Sequence, residues 1–282
     1  FEKALDMEPS NMDVLDRAVA CYEEKGDLEA VLRCKKRMLD NAPDDEIKMS
    51  IAEGIGDLLH EELKRPNDAI KHYEMARDLK PDFRRVLHKI MEVHIEQRKW
   101  NEAILAMGKI EDYETEPTHR SRLHYTAGVI FRDELKKQEE AAHHFDQALV
   151  KDPTFFKAFE ALKKLYTEQE NFKALAKAYH VMLQRMPEDT PGHEQEALWQ
   201  ELGEICQHKL EDGREAIVAY EVADKLNPTN EERQENLSKL YAAAGPSAFE
   251  KAVRVNRRLL ENNPLKLHAY KELRRLYTEM KQ

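Results

Sequence analysis

Apolar residues recur at three- and four-residue steps along almost the whole chain, which is the spacing of amphipathic α-helices. In the first clear stretch, one helical face is formed by Val14, Leu15, Ala18, Val19 and Tyr22. A polar turn follows at residues 25–27, and a second face is then formed by Leu28, Val31, Lys35, Met38 and Leu39. The pattern therefore predicts a unit of two antiparallel helices joined by a short turn.

Prolines divide the chain into units of similar length. Eight of the eleven are spaced at intervals of 34, 38, 36, 36, 34, 41 and 36 residues, at Pro9, Pro43, Pro81, Pro117, Pro153, Pro187, Pro228 and Pro264. Because proline cannot continue a helix and disfavours helix in the residue before it, each one indicates a break between helices. The predicted units are approximately 1–9 (partial), 10–43, 44–81, 82–117, 118–153, 154–187, 188–228, 229–264 and 265–282 (partial).

Every second unit carries a further pattern that begins at a glycine, namely Gly56, Gly128 or Gly203. In all three copies Leu, Ala, an aromatic residue, Ala and Pro follow after 7, 13, 17, 20 and 25 residues. We expect the small residues to lie where two helices cross closely, since larger side chains would push the backbones apart. We expect the aromatic residue to fill the space between one helix pair and the next.

These residues resemble the tetratricopeptide-repeat (TPR) family, in which a small residue, an Ala–aromatic–Ala ladder and a proline mark each unit. The segments Phe1–Pro9 and Tyr220–Pro228 resemble the second helix of a family repeat. The resemblance covers essentially the whole chain. It implies an all-α fold, a right-handed superhelical solenoid of antiparallel helix pairs. It also implies a single domain over residues 1–282, with about seven full repeats and partial repeats at both ends.

The other units depart from this pattern. They carry Lys163 or Ser238 at the glycine position and Leu175 at the first alanine position. We also expect enlarged loops near Pro117 and at residues 187–191. A Sel1-like repeat is the nearest alternative because its units are also longer than 34 residues, but its additional glycines are missing.

In the TPR family the first helices line a concave groove, and the resemblance implies that this groove binds a peptide segment or partner protein. The positions expected to face it are Asp13, Asp16, Glu23, Glu53, Asp57, His60, Arg85, His88, Glu92, Arg122, Tyr125, Arg132, Lys157, Glu160, Lys164, Lys239, Lys271 and Arg275. The candidate partner-binding residues among them are Arg85, His88, Arg122, Tyr125, Arg132, Lys157, Lys164, Lys271 and Arg275.

The predicted groove is acidic at its N-terminal end and mixed to basic from the middle onward. This favours an acidic or carboxylate-bearing segment, held by charge-assisted hydrogen bonds. A solvated charged face, or binding on the outer face or the ends, remains an alternative. The asparagine pair of the chaperone-binding clamp is missing, so chaperone binding is not expected.

A structural spacer or self-assembly module is the second functional hypothesis. The chain begins at Phe1 with neither an initiator methionine nor a signal peptide, and neither end carries an obvious polar capping helix. We therefore expect a piece of a longer protein whose exposed ends could associate with each other.

Composition argues against other classes of function. The net charge of −10 disfavours nucleic acid, and no apolar run approaches the ~20 residues that cross a bilayer. Three scattered cysteines favour neither disulfides nor zinc, so we expect a reducing, cytoplasmic location. We expect no metal at His143–His144 or at His88 and His94, and packing roles for Trp100 and Trp199. We find no catalytic motif, and expect no enzyme activity and no cofactor.

Overall fold

A computed structural model describes residues 10–281 of the chain. These residues form fifteen α-helices and no β-strand, which confirms the all-α prediction. The helices are α1 (Met12–Lys25), α2 (Leu28–Asp40), α3 (Asp45–Asp57), α4 (Pro66–Leu79), α5 (Arg84–Glu96), α6 (Trp100–Tyr113), α7 (Pro117–Asp133), α8 (Gln138–Lys151), α9 (Phe156–Glu168), α10 (Phe172–Arg185), α11 (Gly192–His208), α12 (Gly213–Leu226), α13 (Glu231–Ala243), α14 (Phe249–Asn262) and α15 (Leu267–Glu279). The partial repeat predicted at residues 1–9 and the final Gln282 lie outside the described residues.

The chain divides into two compact units, Phe1–Ala141 and Ala142–Gln282. In the first unit α1 packs against α2, α3 against α4, and α5 against α6. In the second unit the pairs are α9 with α10, α11 with α12, and α13 with α14, and α15 packs against α14. The odd-numbered helices are thus the first helices of the predicted repeats, and the even-numbered helices are the second helices.

One expectation about the loops was wrong. Only three residues separate α6 from α7, and Pro117 is the first residue of α7. Proline is well tolerated there because the first helical residue needs no hydrogen-bond donor. The residues expected in an enlarged loop instead belong to α7, which has 17 residues, compared with 13 or 14 in most of the other helices. The connection at residues 186–191 is longer than the others, as expected.

The repeated glycines lie where first and second helices cross. A Cβ atom on Gly56 would lie 2.3 Å from Cε1 of Tyr73, and one on Gly203 would lie 2.5 Å from Cε1 of Tyr220. Both tyrosine rings are buried. The repeated alanines are also fully buried, at Ala69, Ala76, Ala141, Ala148, Ala216 and Ala223. These contacts confirm that the small residues permit close crossing, and they place the tyrosine rings at the crossing within one helix pair.

In two units without the repeated glycine, the two helices of a pair meet through polar contacts. Ser238 is buried, and its Oγ accepts a hydrogen bond of 2.5 Å from Nδ2 of Asn256 on the paired helix. Nδ2 of Asn256 also donates to the carbonyl of Ala252 at 2.9 Å. In another unit the ammonium group of Lys163 lies 6.0 Å from the ring centre of Tyr179. Polar contacts therefore replace the glycine–tyrosine contact in these pairs.

The turns inside the helix pairs share a left-handed residue. Gly26 adopts a φ of 71° after α1, while Lys64, Arg98 and Glu170 adopt values of 53°, 55° and 52° at corresponding turns. Such a residue ends a helix and redirects the chain, and glycine is usually favoured there because it has no Cβ. The sequence thus uses ordinary residues in a conformation that costs them about 1 kcal/mol.

Candidate protein-interaction face

Residues at positions i, i+4 and i+7 of a helix project from the same side. Glu53 and Asp57 have this relation on α3, and Lys271 and Arg275 have it on α15. We call the predicted groove positions of the odd-numbered helices, named above by residue, the first-helix face. Its chemistry depends on which of its charges are already bound within the chain.

The acidic residues of α3 on this face are bound by cations of α5. Glu53 is only 4% exposed, and its carboxylate accepts hydrogen bonds from Arg85 and, at 2.7 Å, from Lys89. The ammonium group of Lys89 also lies 2.7 and 2.8 Å from the two oxygens of Asp57. A buried charge is costly unless it is paired, so these contacts are required by the fold. Glu53 and Asp57 are thus both engaged by cations of α5.

Lys89 was not among the predicted residues, although it lies one helical turn after Arg85. Burial lowers the pKa of Lys89, but its hydrogen bonds to Asp57 and Glu53 outweigh that effect and raise the pKa above its ordinary value. The hydrogen bond to Glu53 likewise raises the pKa of Arg85. Both side chains therefore remain charged and bound to the acidic residues of α3.

The Asp57 contact belongs to a motif that occurs three times, a Tyr–carboxylate–Lys triad. In the first triad the Tyr73 hydroxyl donates to Asp57 at 2.8 Å, and Lys89 lies over the tyrosine ring at 5.8 Å. The other two triads are Tyr179–Glu201–Lys163 and Tyr241–Glu221–Lys251. Burial raises the pKa of each tyrosine, so the hydroxyls stay protonated and donate. Each triad joins side chains from three helices and so holds neighbouring repeats together.

A buried arginine joins α13 to α11. Arg233 is fully buried and donates to Glu196 at 2.6 Å, to Gln200 at 3.0 Å and to the carbonyl of Asn227 at 2.6 Å. The role of Arg233 was not predicted from the sequence. A signal was available, because in the other units that lack the repeated glycine the fifth residue after the proline is apolar, at Val14, Val86 and Ala158. A charged residue at such a position indicates a buried ion pair.

The nine predicted partner-binding residues fall into two groups. Several are already engaged within the chain. Arg132 binds Asp133 at 2.8 Å, Arg275 binds Glu272 at 3.0 Å, and Arg85 binds Glu53. Lys164 lies 3.8 Å from Glu168, which is a weak and exposed pair. His88 and Tyr125 are half-buried.

The residues of the second group are exposed, and their charged groups bind none of the described residues. Arg122, Lys157 and Lys271 have side chains open to solvent, and no hydrogen bond or ion pair of their charged groups exists with residues 10–281. Lys239 on α13 has the same character. In the second unit the first-helix face therefore presents free lysines from α9, α13 and α15. In the first unit it presents free acids at Asp13, Asp16 and Glu92, together with the free cation Arg122.

Other candidate chemistry from the sequence has a packing role. Among the described residues no group of three or more metal-binding side chains comes together. The rings of His143 and His144 form an edge contact at 5.7 Å, and Trp199 meets His180 at 6.3 Å in the same way. Burial raises the pKa of Cys206 to about 11, so its thiol is not a reactive thiolate. None of the described helices combines the length and apolar content needed to cross a bilayer.

No protein-family model and no curated protein matches the chain. Solved structures of TPR proteins are similar to it at low sequence identity. A TPR protein from Parabacteroides merdae is 15% identical, with a TM-score of 0.43 over 94% of this chain and 98% of its own. The C-terminal part of a TPR protein from Cytophaga hutchinsonii is 16% identical, with a TM-score of 0.44 over 84% and 91%. The Naa15/Naa10 complex bound to HypK-THB contains a chain that is 16% identical, with a TM-score of 0.45 over 94% and 39%.

The chain's own features show its repeat architecture. The glycine-based pattern occurs in three copies, and two of its glycines lie at close helix crossings, as the pattern predicts. The helices alternate as first and second members of packed pairs within each unit. The repeated sequence pattern and the packed helix pairs show that this chain is an all-α array of helical repeats, with a pattern that resembles the tetratricopeptide-repeat family.

Proposed function

We propose that the chain is a protein-binding scaffold whose first-helix face in the second unit binds an acidic segment of a partner protein. The observation that supports this is the set of free lysines on that face. Lys157, Lys239 and Lys271 are exposed and bind no acidic residue in residues 10–281, while Lys163 and Arg233 are fully engaged with Glu201 and Glu196. The internal ion pairs thus engage Lys163 and Arg233 and leave Lys157, Lys239 and Lys271 of this face without an acidic partner among residues 10–281.

Free lysines suit an acidic segment for a physical reason. Each ammonium group has three donors and can form charge-assisted hydrogen bonds with carboxylates. Because the groups are exposed, their attraction is screened by salt, so binding should weaken as ionic strength rises. The rigid helices beneath them, joined by the Tyr–carboxylate–Lys triads, hold the lysines in place without a partner.

Affinity capture with matched variants tests the proposal. One bait is the unmodified chain, and a second carries Lys157→Glu, Lys164→Glu and Lys239→Glu on the first helices. A control bait carries Lys173→Glu, Lys177→Glu and Arg214→Glu, which are exposed positions at or near the start of second helices. Both variants change the net charge equally. Proteins retained from a lysate of the native host are identified by mass spectrometry, and the binding of a purified partner is then measured at two salt concentrations.

The expected result is a partner held by the unmodified chain and by the control bait but lost from the first-helix variant. Its affinity should fall as salt increases. Equal retention by all three baits would refute binding on this face. If a folded bait retains no partner, the proposal fails and the spacer or self-assembly role becomes the better explanation.

A further inference from the structure

One position of the second helices is occupied differently in α2. Among the seven second helices that the structure describes, the eighth residue is 0–3% exposed in six, namely Tyr73, Met107, Phe145, Tyr179, Tyr220 and Asn256. In α2 the eighth residue is Lys35, whose side chain is 27% exposed. A position that is otherwise filled by a buried side chain, in four cases an aromatic ring, thus holds a charged side chain in contact with solvent.

The residues that surround this position are also replaced. In the triad around Tyr179, the cation is the eighth residue of α9 and the carboxylate is the tenth residue of α11. The corresponding residues of α1 and α3 are Val19 and Gly54. Val19, Lys35 and Gly54 therefore stand where that later repeat has lysine, tyrosine and glutamate. Both the aromatic ring and the carboxylate are missing.

These replacements leave an open cavity of about 200 Å³ between α1, α2 and α3. We call it the α1–α3 cavity and define it by the residues that line it: Asp16, Val19, Lys35, Met38, Ser50, Ile51 and Gly54. Val19 and Ile51 pack against the buried Met38, so part of the lining is apolar. Apolar cavities of about 150 Å³ in proteins bind benzene. The space is therefore large enough for one aromatic ring.

Lys35 is placed to contact a ring in this cavity. A Cβ atom added to Gly54 would lie 4.0 Å from Nζ of Lys35, so the ammonium group is beside α3. Its ion pair with Glu23 is long, at 3.7 Å, and exposed, which makes it weak. Elsewhere in the chain lysine ammonium groups lie 5.8 and 6.0 Å from the ring centres of Tyr73 and Tyr179. Lys35 can approach a bound ring in the same way, since a cation is attracted to the face of an aromatic ring.

The cavity also offers acceptors for a hydroxyl group. In the Tyr–carboxylate–Lys triads, each tyrosine hydroxyl donates to an acidic side chain. Asp16 and Ser50 line the α1–α3 cavity, and the carboxylate of Asp16 forms no ion pair with residues 10–281. Apolar walls, a cation and oxygen acceptors thus surround one space, which is the environment that the chain gives to its own tyrosines.

We propose that the α1–α3 cavity binds a tyrosine side chain of a partner protein. The ring of the bound tyrosine occupies the place that is filled by the eighth residue of the other second helices. Lys35 lies against the ring, and Asp16 or Ser50 accepts the hydroxyl proton. All residues of the cavity belong to the first unit, so this site does not depend on the lysines of the second unit.

N-acetyltyrosinamide is a suitable probe because it carries the tyrosine side chain and the amide groups of a peptide, but no charge. The full chain is labelled with ¹³C at the methyl groups of Val, Ile and Met. Because an aromatic ring shifts the signals of nearby methyl groups, binding is followed by the shifts of Val19, Met38 and Ile51. N-acetylphenylalaninamide and N-acetylleucinamide are the comparison compounds, since they lack the hydroxyl and the ring.

Two substitutions close the cavity from different helices. Lys35→Tyr supplies a ring from α2, and Gly54→Leu places a side chain in the space from α3. Lys36→Tyr is the matched control, because Lys36 is the next residue of α2, is exposed and does not line the cavity. Circular dichroism shows whether each variant is folded. Gly54→Leu keeps the test decisive if Lys35→Tyr does not fold.

We expect saturable shifts of the three methyl signals in the unmodified chain and in Lys36→Tyr, with a dissociation constant in the millimolar range. Lys35→Tyr and Gly54→Leu should each raise that constant roughly tenfold or more. The phenylalanine compound should bind more weakly than the tyrosine compound, and the leucine compound more weakly still.

Three results would overturn the proposal. The first is the absence of saturable shifts in the unmodified chain, or shifts that remain unchanged in the folded cavity-closing variants. The second is equal binding of the tyrosine compound and either comparison compound, which would exclude a site for tyrosine. The third is a dimer of the unmodified chain in sedimentation that Gly54→Leu dissociates, because the cavity would then belong to an interface with a second copy.

Discussion

Replacing Gly56 by alanine tests whether the small residue is required by the tyrosine beneath it. The added Cβ would lie 2.3, 2.5 and 2.9 Å from three ring atoms of Tyr73. The ring is 1% exposed and has little free space around it. Ordinary van der Waals contact begins near 3.4 Å, so the ring or the helices must shift by about 1 Å.

The expected cost combines three effects. Overpacking of this kind costs about 1–3 kcal/mol. Moving the ring also disrupts its hydrogen bond to Asp57, which is worth about 1.5 kcal/mol because the acceptor is charged. Alanine has a higher helix propensity than glycine, and this offsets the loss of stability by about 1 kcal/mol. We therefore expect Gly56→Ala to lower the free energy of unfolding by about 1.5–3.5 kcal/mol.

Gly108 provides a matched control. It lies within α6, and a Cβ atom added there would have no neighbouring atom within 4 Å. Gly108→Ala should therefore stabilise the chain by about 1 kcal/mol through helix propensity alone. Gly203→Ala should behave like Gly56→Ala, because its Cβ would meet Tyr220 at 2.5 Å.

Urea unfolding followed by circular dichroism measures the overall stability of each variant. Because repeat arrays can unfold in parts, hydrogen exchange measured by mass spectrometry should show the loss of protection concentrated in α3 and α4. In the double variant Gly56→Ala with Tyr73→Leu, the two losses should be less than additive, since the smaller side chain relieves the clash. If Gly56→Ala proves as stable as Gly108→Ala, the close-crossing explanation is wrong.

Two further predictions concern pH and the turns. His72 and His94 have a buried Nδ1 without a hydrogen-bond partner, and burial lowers the pKa of both imidazoles below 6.5. The unfolded chain therefore binds these protons first, so stability should be retained above about pH 6.5 and lost as the pH falls below it. The urea midpoint should drop between about pH 7.5 and 5.5, and a His72→Gln, His94→Gln variant with the same drop would contradict the assignment. Arg98→Gly, at a φ of 55°, should raise the free energy of unfolding by up to about 1 kcal/mol in the same assay, while Gly26→Ala, at 71°, should lower it.

The helix pairs could be predicted from the sequence because their signals are local and repeated. Proline breaks a helix wherever it occurs, and apolar spacing defines a helical face without knowledge of its partner. The loop near Pro117 was mispredicted because proline at the start of a helix and proline in a loop look alike in sequence. The structure decided between them by extending α7 to include it.

The candidate site could be predicted only in part. The positions of the first-helix face follow from the repeat, but their availability depends on distant residues. Glu53 and Lys89 are 36 residues apart, and Glu196 and Arg233 are 37 apart. A formal charge in the sequence does not reveal whether such a partner lies within 3 Å, so Arg85 and Arg122 looked alike although only Arg122 is free.

The sequence by itself thus determined the helical repeat, its unit length and the close helix crossings at the small residues. These features arise from backbone restrictions and from side-chain size, which act within one unit. Only the tertiary structure decided which charges are buried and paired. Those properties arise between units, because burial and ion pairing depend on the side chains that neighbouring helices bring together.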